Sequence, residues 1–167
     1  MNSDAKVLIA GAGLSESELL AECKSHNLPP EILLGLIMTE SSGRATAMRY
    51  EAGYTFVFKV PEFAKSMGWT ELTEMTLQKF SFGLCQIMLA TARWRGFKLH
   101  PMRLLEPKVG LAWGAFHLAE LFKLYNDWPS AVSAYNQGSP KKAMIGGEFK
   151  NQPYVDKVMA NARTFRA

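Results

Sequence analysis

The sequence predicts a single, mainly α-helical domain with a short β-hairpin near residues 50–60. Apolar residues recur at helical spacing in several separate segments, and capping and proline signals bracket those segments. No repeat, linker or low-complexity stretch divides them, so the whole chain, residues 1–167, is read as one domain. A composition of 48% hydrophobic and 20% charged residues supplies a real core and excludes disorder.

The elements follow in order. Ser15 to Asn27 is a helix, because Ser15 and Glu18 stand at capping-box spacing and Leu19, Leu20 and Cys23 follow on one side. Pro29 and Pro30 stop it and open a second helix, where a missing N–H does no harm. That helix carries Ile32, Leu33, Leu36 and Ile37, is buried nearly all round, and ends at Gly43. Arg44 to Lys59 lacks a helical period, and "YTFVFKV" has the aromatic and β-branched content of an extended segment. Val60 to Gly68 and Thr70 to Phe80 are two short helices, the second capped by Thr70. A turn at Ser81 to Gly83 leads into a helix toward Arg95. Pro107 to Tyr125 carries the longest apolar stripe and is the central core helix. "WPSAVSAYNQGSP" is a short helix closed by Gly138, and Gln152 to Phe165 is the final one.

Several function classes have little support. There is no CxxC pair, no HExxH and no phosphate-binding glycine loop, so neither a metal nor a cofactor is expected. His26, His100 and His117 are scattered, and His117 lies in the core helix as a packed side chain. Cys23 and Cys85 sit in apolar patterns and are read as buried free thiols. No window is long and apolar enough for a membrane span, and the acidic start is not a secretory signal.

Charge is unevenly spread. Residues 1–51 hold 4 basic and 7 acidic side chains, a balance of −3, which leaves 15 basic and 8 acidic, or +7, for residues 52–167. That imbalance fits either a polyanionic partner or a solvated basic face. A nucleic-acid-binding module would use the cluster "RWRGFK" at 93–98, but the basic residues do not line one helix face, and no nucleic acid is expected as partner.

Three short motifs remain: "TESSG" at 39–43, "FGLCQI" at 82–87 and "SAYNQGSP" at 133–140. Glu40, directly after a buried helix, is costly to keep ionised and needs either a partner or a job. In this order and company the motifs resemble the soluble lytic transglycosylases, relatives of goose-type lysozyme, from about Pro29 to Phe165. "YVDKVMANA" resembles their closing helix, and "AMRYEAGY" at 47–54 resembles phage-encoded members.

The resemblance implies a lysozyme-like domain that cleaves the β-1,4 bond between N-acetylmuramic acid (MurNAc) and N-acetylglucosamine (GlcNAc) in peptidoglycan. By position, it makes Glu40 the catalytic acid and Ser41 its hydrogen-bonding neighbour. Gly83, Leu84 and Gln86 become part of the sugar wall, with Gln86 on an N-acetyl or hydroxyl group. Tyr135 and Asn136 line the cleft, Tyr135 near the Glu40 carboxylate, and Tyr154 joins the same wall. A general acid of this kind must be protonated near neutral pH, and burial beside "ILLGLIM" raises a carboxyl pKa.

Two departures from the family pattern matter. Cys85 stands where many members have Met, a soft-for-soft exchange. Glu51 is a second carboxylate: across the cleft it would position water and make the protein a hydrolytic muramidase, whereas paired with Arg49 or Arg44 it is structural, the reading favoured here. Met88 stands where goose-type lysozymes tend to have an acid, which favours transglycosylation. A relative that binds walls without cleaving them is disfavoured by the joint presence of Glu40, Gln86, Tyr135 and Asn136. The expectation is a monomer acting on glycan strands at an anionic envelope surface, phage-encoded, made in the host cytoplasm, and serving as an endolysin or virion-associated lysin on periplasmic or cell-wall peptidoglycan.

Overall fold

The computed structural model describes residues 1–143 and 147–166. It is mainly helical. Two helices begin it, α1 (Ser3–Gly11) and α2 (Glu16–His26), followed by α3 (Pro30–Ser41) and the short strand β1 (Met48–Tyr50). Helices α4 (Val60–Met67) and α5 (Glu71–Gln78) lead to strands β2 (Phe80–Phe82) and β3 (Ile87–Met88). Then come α6 (Leu89–Trp94), a 3-10 turn at Pro101–Leu105, and α7 (Pro107–Tyr125), α8 (Trp128–Gln137) and α9 (Gln152–Thr164).

The local signals act where the sequence places them. At α2, the Glu18 N–H donates to the Ser15 hydroxyl and the Ser15 N–H to the Glu18 carboxylate, completing the capping box. Thr70 caps α5 and Gly138 closes α8 in the left-handed conformation. Helix α3 is buried on all sides, from Ile32 to Ile37. It ends at Ser41, with Ser42 left-handed (φ 52°), slightly before the expected stop at Gly43.

Packing of α3 against α9 depends on Gly35. A Cβ there would stand 2.6 Å from the Val158 carbonyl oxygen and 2.8 Å from the Ala162 nitrogen, so only glycine lets the two backbones approach this closely. Asn161 locks the pair by donating to the Thr39 hydroxyl at 2.9 Å.

The β structure differs from the expectation. No hairpin forms within residues 50–60. β1 instead pairs antiparallel with β2, Arg49 opposite Ser81, and β2 pairs with β3 across the turn 83–86. The helix expected to run to Phe80 ends at Gln78, and Phe80 starts β2. "YTFVFKV" joins no strand: Lys59 is left-handed and Val60 already starts α4, while the Gln78 side chain ties down Phe58. The Phe58 N–H donates to Gln78 Oε1 at 2.6 Å, and Gln78 Nε2 donates to the Phe58 carbonyl at 2.9 Å. Helix α1 was not foreseen either: it buries only Ala5 and Ile9, too few apolar residues to show a periodic stripe.

Two cores result. The larger joins α1, α2 and α3 with α7, α8 and α9; the smaller holds Phe82, Ile87, Leu89, Ala92, Phe97 and Leu104 around the sheet. The β2–β3 turn bridges them, since Leu84 and Cys85 belong to the larger core while Phe82 and Ile87 belong to the smaller. Cys23 and Cys85 are buried free thiols, and burial pushes Cys23 up to about 12. His117 is likewise packed against the Tyr135 ring, and burial lowers its pKa to about 3.

Candidate active site

Glu40 occupies the last turn of α3, where the helical bundle meets the sheet. It borders two adjoining hollows. One, of about 290 Å³, is lined by Glu40, Glu51, Tyr54, Gln86, Tyr135 and Asn136 among others; the second, of about 360 Å³, shares Glu40, Arg49 and Gln86 with it and extends to Arg44 and Thr46. A chain molecule lying across both would pass over the carboxylate.

The Glu40 side chain is half-buried, and burial pushes its pKa above the ordinary carboxylate value. The Tyr154 hydroxyl donates a hydrogen bond to Oε1 and works against that rise, as do the charges of Arg49 and Lys157. The Glu51 charge adds to it. Among the described residues Oε2 has no hydrogen-bond partner, so one oxygen is held while the other is free to carry and give a proton.

Tyr154, expected in the same wall, is the tyrosine that donates to the carboxylate, while Tyr135 lines the cavity that Glu40 borders. The Tyr135 hydroxyl instead donates to the Cys85 carbonyl at 2.8 Å, bracing the β2–β3 turn while its ring lines the cavity. Ser41 also differs from expectation: its hydroxyl does not reach Glu40 but donates to the Leu84 carbonyl at 2.7 Å, inside the core. Helix α3 and the turn are therefore pinned together one residue away from the acid.

The turn residues divide by role. Leu84 is fully buried, so its side chain cannot contact a sugar. Gly83 is buried with φ 73°, and a Cβ there would lie 2.2 Å from the Leu104 carbonyl oxygen; it is required by packing and does not form an exposed wall. Gln86, itself left-handed (φ 47°), uses both amide protons on the Ala47 and Gly83 carbonyls and accepts from the Ser81 hydroxyl at 2.8 Å. What it can still offer a sugar is an Oε1 lone pair. Asn136 is exposed at the cavity edge and accepts a hydrogen bond from Asn151 at 2.9 Å.

Glu51 lines the same cavity as Glu40, and Arg49 Nε donates to its Oε1 in an ion pair. Arg49 and Ser81 lie opposite each other in the sheet, so the register of β1 on β2 sets where this pair stands. Sequence reasoning did not foresee Tyr54, whose hydroxyl is 3.3 Å from that of Thr91, or Ser81 as cavity residues. "YTFVFKV" read as a strand hid the first, and a turn assignment hid the second. Among the described residues no cluster of three or more His, Cys, Asp or Glu side chains could hold a metal, and no helix is long and apolar enough to cross a membrane.

The profile of the transglycosylase SLT domain matches residues 19–155. The chain belongs to this family. An SLT domain is an enzyme of the lytic transglycosylase type, with peptidoglycan as its substrate, and the lysozyme-like helical fold agrees with that assignment. No curated protein matches the sequence significantly. The matched span takes in α3, the sheet, α7, α8 and the start of α9 and leaves α1 outside.

Proposed function

We propose that the protein cleaves the MurNAc–GlcNAc β-1,4 bond by intramolecular transglycosylation, with Glu40 as its one general acid and base. The observation carrying this reading is that Glu51, the other carboxylate lining the cavity, is engaged by Arg49, whereas Glu40 keeps an unpartnered oxygen. In the first step Glu40 gives its proton to the glycosidic oxygen as the C1–O bond breaks. The GlcNAc end leaves as an alcohol. In the second step the 6-hydroxyl of the same MurNAc bonds to C1, and its proton passes to the Glu40 carboxylate. The acid is regenerated and the product is 1,6-anhydroMurNAc. Because the nucleophile is already attached to the substrate, effective molarity replaces a second carboxylate that would activate water. Tyr135, Asn136 and the Oε1 atom of Gln86 form the wall against which the sugar is held.

Mass spectrometry of muropeptides released from purified peptidoglycan tests this. Products lighter by one water, with anhydro ends, are expected. Reducible muramic acid ends would make water the acceptor and Glu51 its base, the hydrolytic muramidase reading.

The same proposal places the protein in a phage, as a lysis enzyme or virion component reaching periplasmic or cell-wall peptidoglycan. The Arg49-Tyr50-Glu51 element so soon after Glu40 supports this. Cells making the protein in their cytoplasm should lyse only after the inner membrane is permeabilised, and lysis without that step would count against the assignment.

A further inference from the structure

A hollow of about 880 Å³ lies apart from Glu40, which is not among its lining residues. It lies between α1, the C-terminal end of α3 and the end of α9, and its apolar floor includes Val7, Leu8 and Met38. Most of its walls lie outside the matched family span: Asp4, Val7 and Leu8 on one side, Asn161, Thr164 and Phe165 on the other. It adjoins the hollow that borders Glu40 at one loop, since Arg44 and Thr46 line both.

Charge is ordered along this path. Arg44 stands at the end near Glu40; its Nε donates to the Ser41 carbonyl, and its two terminal nitrogens have no partner among the described residues. Asp4 stands at the far end, where the Asn2 side chain ties the start of α1 to the Thr164 carbonyl at 2.7 Å. Asp4 makes no ion pair among the described residues. On α9 the residues Tyr154, Lys157, Asn161 and Thr164 recur at helical spacing from the acid to the far wall, a run of about 15 Å at the helical rise.

We propose that this hollow binds the stem peptide attached to the MurNAc in the cleft, which rests on the reading of Glu40 given above. A stem of four residues spans up to about 14 Å when extended, matching the run along α9. It offers alanine methyl groups to the apolar floor, a D-glutamate carboxylate near Arg44, and the amine of its diamino acid toward Asp4. A bare glycan strand provides neither charge. Helix α1 is thus a specificity element added to the family's catalytic core.

The test compares kcat/KM on glycan strands carrying stem peptides with that on the same strands stripped by an amidase. The intact enzyme is expected to prefer peptide-bearing strands by about tenfold, mainly through KM, and the preference should collapse in Val7→Glu and Thr164→Trp. Val7 is 74% exposed, so its replacement leaves folding intact. A synthetic L-Ala-γ-D-Glu-L-Lys-D-Ala tetrapeptide should also bind Glu40→Gln and lose affinity in the double variant carrying Val7→Glu. Equal rates on both strands overturn the stem-peptide site and leave the proposed activity standing, as does a preference that survives both variants. Cleavage of neither strand overturns the proposed activity and this inference with it.

Discussion

Glu40 has one oxygen held by Tyr154 and the other left without a protein partner, in surroundings that favour its neutral form. Glu40→Gln should lower wall-clearing activity by about 10²–10⁴-fold while keeping the fold; activity near the wild-type level would remove Glu40 as the acid. Its neighbours tune the pH range. The acid works while protonated, so activity is present below its folded pKa and lost as pH rises through it. Glu51→Gln removes a charge that raises this pKa and should move the alkaline limb to lower pH, whereas Arg49→Gln removes one that lowers it and should move the limb upward. A pH profile of kcat/KM for both variants checks the two directions. Loss of all activity in Glu51→Gln would instead identify a second catalytic carboxylate. Glu40 was legible because "TESSG" follows a buried helix. Which tyrosine it meets was not, since Tyr154 lies 114 residues away and the choice over Tyr135 depends on how closely α9 approaches Gly35.

At the scale of elements, capped and proline-started helices were readable because their signals are local. The sheet was not: β1 is three residues long and pairs with residues about thirty positions on. The segment after it is held by a polar cluster instead of a strand. Glu74 and Arg93 are both fully buried, Arg93 Nε donating to Glu74 at 3.1 Å and its NH1 to the Phe97 and Leu99 carbonyls. Glu74 also accepts from the Trp69 indole and from Gln78, the residue that anchors Phe58. Arg93→Met leaves the carboxylate buried without its cation and should cost about 3–5 kcal/mol, read by urea unfolding. A change below about 1 kcal/mol would mean that water replaces the guanidinium.

For the molecule as a whole, the +7 balance of residues 52–167 opposes the −3 balance of residues 1–51. On an anionic wall this steers encounter, so the rate of clearing intact walls should fall as salt rises from about 0.05 to 0.3 M, while the rate on short soluble glycan fragments changes little. Equal salt dependence on both substrates would place the effect in the cleft. The two cores are joined by the β2–β3 turn.

The hydrogen bond from Tyr154 to Glu40 also bears on synthesis. A ribosome completes α3 long before α9 exists, so a growing chain has the acid but neither its tyrosine nor the helix that fills the notch at Gly35. The Tyr154–Glu40 hydrogen bond, and with it the close packing of α9 on α3, therefore forms only after the last helix has been made.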